Sequence, residues 1–153
     1  MSGNTPIQKT VVEVDTSTLE KSSHGSITGV IRIQIDNVSF PDTRWNDFPV
    51  VILSWWLEPV CRIMQGKTRI WGCKFMDGPV TVRLEQQHDD TWTLRCFHGD
   101  RVEFTATTSC RAFINSLLDA ARQILRECQR RGWQSRDIEI LDSAVRTIQR
   151  EMA

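Results

Sequence analysis

Cys96 and His98 lie two residues apart in a run of alternating polarity, so both side chains would stand on one face of a strand. A thiol and an imidazole so placed are the beginning of a zinc site or of a thiol nucleophile. Structural zinc asks for four ligands at clustered spacing, whereas His24 and His88 stand alone in turn-like segments. A thiol nucleophile needs a thiolate, a histidine and a third group to orient it. The reading that fits this spacing better is a packed cysteine beside a turn histidine. The five cysteines, Cys61, Cys73, Cys96, Cys110 and Cys128, are odd in number and form no C-x-x-C pair, and most fall on apolar faces. Free cysteine packs as a small hydrophobe, which indicates a reducing, cytoplasmic compartment. Asp89-Asp90 pairs two carboxylates, but adjacent loop acids form a solvated turn rather than an acid–base couple. There is no glycine-rich phosphate loop and no G-x-S-x-G elbow. The chain therefore reads as a protein without metal or cofactor, and as a binder before an enzyme.

Residues suited to binding are easier to find. Arg122, Arg126 and Arg130 recur at four-residue spacing and form a helical stripe. Asp119 and Glu127 flank it, and Asp142 precedes Arg146 by four as a stabilising pair, so a solvated face is favoured. Trp133 follows Arg130-Arg131-Gly132 in an inter-helix turn. There Arg131 and Trp133 would serve as interface anchors, or Trp133 would staple the helical hairpin. Glu85, His88, Asp89 and Asp90, taken with Asp100, offer an acidic patch for a partner. Nineteen basic and nineteen acidic residues cancel, and the pI near 6.8 argues against a whole-surface grip on nucleic acid.

The elements that must carry these residues are set by pattern. A chain of 153 residues is the size of one domain and buries roughly two-thirds of its unfolded surface. Met1 to Thr10 is polar with no signal core, and the apolar stretch Val50 to Leu57 is too short for a membrane span. Lys9 to Val14 reads as a first strand. Ile27, Gly29, Ile31, Ile33 and Ile35 alternate with Val30, Arg32, Gln34 and Asp36 as a half-buried second one. From Thr43 to Gln65 the chain reads as a helix, with Asp42 or Thr43 as N-cap and Gly66 as stop. Its apolar residues surround the axis, so it should be buried. Pro49 is tolerable near its start, Pro59 should kink or break it, and a Val-Val-Ile-Leu strand is the competing reading.

Turns at Asp77-Gly78, His88-Asp89-Asp90 and Gly99-Asp100 then cut Lys67 to Thr107 into four strands of a meander. The expected inner faces are Trp71, Cys73 and Phe75; Val80, Val82 and Leu84; Trp92, Leu94 and Cys96; and Val102, Phe104 and Ala106. Trp45, Trp55, Trp56, Trp71 and Trp92 are placed for the core or the helix–sheet seam. Ser109 and Ser135 cap two C-terminal helices, with Gly132 between them. The whole is α+β: an antiparallel sheet of about five to six strands including the four-strand meander, one buried helix between strands, and two C-terminal helices packed on the sheet. A single domain over residues 9–153 follows a flexible tail over 1–8.

Two segments carry a family resemblance. Phe40-Pro41 followed by Trp45, Asp47 and Phe48 is one, and Phe75-Met76-Asp77-Gly78-Pro79 is the other. Over roughly residues 27–107 the chain resembles small bacterial immunity proteins encoded beside polymorphic toxins of the Rhs and contact-dependent inhibition type. The resemblance implies a cytoplasmic inhibitor that binds the C-terminal domain of one cognate toxin, with no direct nucleic-acid or membrane contact. No binding residue transfers with it. The alternative reading is a small-molecule-binding or scaffold domain with a pocket between sheet and helices. An enzyme, built on His98 with Cys96 or Asp100, comes third.

Overall fold

The computed structural model describes residues 6–153. In chain order the elements are β1 (Thr10–Lys21), β2 (Ile27–Ile35), β3 (Val38–Phe40), β4 (Asn46–Asp47), α1 (Pro49–Leu57), α2 (Val60–Met64), β5 (Ile70–Lys74), β6 (Val80–His88), β7 (Thr91–His98), β8 (Arg101–Ser109), α3 (Cys110–Arg130) and α4 (Arg136–Met152). The class is α+β. The eight strands divide into two antiparallel sheets of four, one with β2 flanked by β1 on one side and by β3 and β4 on the other, the second ordered β5-β6-β7-β8. The second sheet is the expected meander. The flexible tail expected over 1–8 lies mostly outside the described residues. At its far end Gln8 is tied down: its backbone N–H donates to the Thr107 carbonyl at 2.7 Å and its side chain to Asp36.

The segment read as one helix from Thr43 to Gln65 is a strand and two helices. Backbone pairing holds Asn46–Asp47 against Gly29 and Val30, so the helix begins only at Pro49, its first residue. Asp42 caps a turn instead, its carboxylate accepting from the Arg44 N–H at 2.7 Å. Pro59 then separates α1 from α2, because its ring removes a helical N–H. Trp55, expected in the core or the seam, is 47% exposed. At about 100° per residue it turns outward where Trp56, fully buried, turns in.

The two resemblance segments form one structural unit. Asp47, 1% exposed, accepts hydrogen bonds from the Trp45 indole and from the backbone N–H groups of Phe48, Met76 and Asp77 at 2.7–3.3 Å. Such bonds to a carboxylate contribute about 1.5–3 kcal/mol apiece when well aligned. Around this carboxylate Phe75 makes edge-on contacts with Phe40, Trp45 and Trp56, at centroid distances of 6.3, 6.2 and 5.0 Å. The helix entry and the β5–β6 hairpin are thereby locked together.

One apolar core joins both sheets through the helices. α1 packs on β2 and β5, α3 on β1 and β8, and α4 lies over α1, α2 and α3. The Trp56 indole donates to the Lys74 carbonyl at 2.8 Å and the Trp71 indole to the Trp56 carbonyl at 3.0 Å, so these large rings are buried with their polar ends satisfied. Ser109 and Ser135 cap α3 and α4 as expected, accepting from Ala112 and Ile138.

Two irregularities redirect side chains. In β1, Thr16 to Leu19 bulge opposite Gly29, and a Cβ on Gly29 would sit 2.6 Å from Leu19 Cδ2. In β8, Cys96 pairs with Phe104 but Phe97 pairs with Val102, leaving Glu103 extra. This bulge moves Val102, expected inside, to the outer face, where it is 45% exposed.

Candidate functional site

The acidic residues singled out in the sequence do not form one patch. Successive hairpins of a meander lie at opposite ends of the sheet. β6 and β7 pair from Val80–His98 to His88–Thr91, which separates Asp100 from Asp89 by roughly 25 Å at the rise of a strand. Asp90 is committed within the chain: its carboxylate accepts from the Arg111 N–H at 2.8 Å and from the Ser109 hydroxyl, strapping the hairpin to the start of α3. Asp89 has a positive φ of 48° and an exposed side chain, and His88 beside it is exposed too. Glu85 stands apart from both on the outer face of the sheet, 3.7 Å from Arg95.

Arg131 and Trp133 also meet within the chain. The Arg131 guanidinium donates to the Leu19 and Thr16 carbonyls and to Glu127, and lies 4.8 Å over the Trp133 ring. Trp133 is half-buried against the core. Trp133 thus packs within the chain, under Arg131 and against the core. Three charge-assisted bonds, two from Arg130 and one from Arg131, hold the Glu127 carboxyl down at about 2. In the arginine stripe, Arg122 and Arg130 are paired with Asp119 and Glu127, and Arg146 pairs with Asp142 as expected.

The thiols are packed, not poised. Cys73, Cys96, Cys110 and Cys128 are buried and all five cysteines are free. Burial pushes the Cys96 and Cys110 thiols up to about 12 and raises the Cys73 thiol well above its ordinary range, the direction opposite to that of a nucleophile. Cys96 faces the core while His98, at the strand end, is exposed. Among the described residues, no group of three or more His, Cys, Asp or Glu converges as a metal site would require. Among the described residues, no helix is long and apolar enough to cross a membrane.

Two surfaces remain. One is a cleft of about 580 Å³ where the β6–β7 turn meets α2 and the ends of α3 and α4. Ile63, Trp92, Cys110 and Ile114 form its floor, the half-exposed Met64 and Met152 flank it, and Asp89, Arg111 and Glu151 supply charge.

The other is the outer face of the β5–β8 sheet, which alternation alone would not single out. Cross-strand pairing lays its residues in rows: Ile70–Glu85–Thr93–Thr107, then Gly72–Arg83–Arg95–Thr105, then Lys74–Thr81–Phe97–Val102. Ile70 is 60% exposed, and Gly72, Lys74, Arg83 and Thr105 are exposed as well. The Arg83 guanidinium rests 5.4 Å over the Phe97 ring. The sequence placed Arg83 and Glu85 outward but gave no sign that Arg83 would stand directly opposite Arg95, because register between strands is invisible in a single strand. No family profile matches the chain, and neither a curated protein nor a solved structure is similar to it at a significant level.

Proposed function

We propose that this protein is a non-catalytic inhibitor that acts by stoichiometric protein–protein binding, an immunity protein for the C-terminal domain of a bacterial polymorphic toxin. The observation that carries the reading is the outer face of the β5–β8 sheet, a broad exposed surface where arginines, a phenylalanine and exposed aliphatic residues stand together. Arginine and aromatic side chains on one exposed face are the usual anchors of an interface. The state of the thiols supports the same reading, since burial holds them protonated. The meeting of the two resemblance segments at Asp47 supports it further, as one built unit rather than two chance matches.

The test is purification of the N-terminally tagged protein from its native cells with the toxin locus expressed. A partner in equal amount should be found by mass spectrometry and should match the C-terminal domain of a large secreted protein. Co-expression with this chain should restore growth of a host poisoned by that domain. A preparation with no such partner, or a domain that kills regardless, overturns the reading.

The cleft favours a second reading, a domain that binds a small apolar ligand between sheet and helices. It requires ligand-induced thermal stabilisation that substitution of Ile114 by a bulkier residue abolishes.

A further inference from the structure

The centre of the outer sheet face breaks two rules of strand construction at adjacent positions. Arg83 and Arg95 are direct cross-strand partners on the exposed face, an arrangement in which like charges repel. Arg95 has Glu85 at 3.7 Å, whereas Arg83 has no acidic partner among the described residues and leans on Phe97 instead. Next to Arg83 in the same row is Gly72, in the middle of β5. This glycine has no positive φ, and a Cβ built on it would meet nothing within 4 Å. Neither backbone geometry nor packing inside the chain asks for glycine there. A strand glycine left open in this way marks a place where another molecule approaches closely.

We propose that Gly72, Arg83 and Arg95 form the partner-recognition centre of this face, and that its occupant is a protein segment that carries carboxylates beside apolar side chains. The inference rests on the reading of the chain as a protein-binding inhibitor and names the face and the chemistry of the contact. Charge sets the sign of the partner. The rows hold Lys74, Arg83 and Arg95 against the single acid Glu85, while Arg101 and Glu103 pair with each other at the sheet end. Each guanidinium presents a planar fork for a carboxylate, Arg83 from over Phe97 and Arg95 from beside Glu85, and a bound carboxylate would offset the like charge of these cross-strand partners. The gap over Gly72 admits partner backbone beside them. Ile70 and Val102 set the kind of polymer. They stand 60% and 45% exposed in the rows on either side, where a protein segment would cover them. A nucleic acid would ask for several stacking rings and a net basic chain, and the face has one ring, already covered by Arg83, on a chain of zero net charge.

The test is titration of the isotope-labelled full-length protein with a short Glu/Leu peptide, its Gln/Leu counterpart and an oligothymidylate, followed by NMR. The Glu/Leu peptide should shift the side-chain Nε–H signals of Arg83 and Arg95 and the amides of Gly72 and Phe97, and leave Asp89 and Arg111 at the cleft unmoved. The Gln/Leu peptide should not. R83Q/R95Q should weaken the peptide by about tenfold or more. G72V, whose side chain enters open space, should fold with an unchanged or higher Tm and weaken the peptide too. Shifts confined to the cleft, binding of the oligothymidylate in place of the peptide, or wild-type binding by folded G72V would each overturn the proposal. The toxin assay separates the two levels. Rescue by wild type and failure of folded R83Q/R95Q supports both. Rescue by both forms removes this face and leaves the inhibitor reading standing. A toxin domain that wild type fails to bind removes the inhibitor reading, and the peptide titration then judges the face alone.

Discussion

Glu127 shows how a side chain that looks like part of a binding stripe serves the fold instead. Its carboxylate takes bonds from Arg130 and Arg131, and Arg131 carries the connection on to the Thr16 and Leu19 carbonyls of the β1 bulge. Because those arginine bonds lower its ionisation from the ordinary 4.5 to about 2, the folded form holds its proton less tightly than the unfolded form. The contribution to stability is complete above about pH 4.5 and is lost as pH falls through about 2. Thermal melts between pH 5 and pH 2 should thus show a steeper acid decline for the wild type than for E127Q. Parallel curves would show that the carboxylate does not carry the tie. None of this was legible beforehand, since the sequence placed Glu127 beside the stripe but could not reveal a bulge more than a hundred residues upstream as the third party.

At the scale of elements, the two mid-strand glycines make opposite demands. Gly29 admits Leu19, whose Cδ2 would be 2.6 Å from any Cβ there, so G29A should cost about 1–3 kcal/mol by forcing the bulge aside. Gly72 faces open space, and G72V should stabilise by up to about 1 kcal/mol through strand preference and reduced freedom of the unfolded chain. Urea denaturation of the two variants checks both signs, and equal destabilisation would refute the contrast. The strands were readable where period-2 alternation and hairpin turns coincide, as in Ile27 to Ile35 and across the meander. Reading failed at Asn46–Asp47, where two paired residues are swallowed by a run of apolar ones and the helical pattern starts ahead of the helix. It failed also at Val102, because a bulge shifts the alternation without leaving a turn residue behind. The recognition row was not legible in any one strand, since it rests on the register across the Asp77-Gly78 and Asp89-Asp90 turns that sets Arg83 opposite Arg95.

For the whole molecule, the decisive fact is that no sheet has a core of its own. Trp71 of β5 meets Phe113 of α3 edge-on at 5.2 Å, α3 rests on β1, and Gln8 joins β8 across to the strand that follows it. Unfolding should accordingly be one cooperative event. Tryptophan emission, to which the buried Trp56, Trp71 and Trp92 contribute, should follow the same urea curve as far-UV circular dichroism. Separate midpoints would mean that the β1–β4 sheet comes apart on its own.

The strand alternation that buries Trp71, Leu84 and Leu94 turns Gly72, Arg83 and Arg95 outward, so neighbouring positions answer to different constraints. Inner positions are bound to a shared volume and must change in concert. Outer ones touch nothing the core depends on and are free to change one at a time. A sheet built this way can be re-addressed by single substitutions, acquiring a new partner or losing an old one while the scaffold beneath it stays the same.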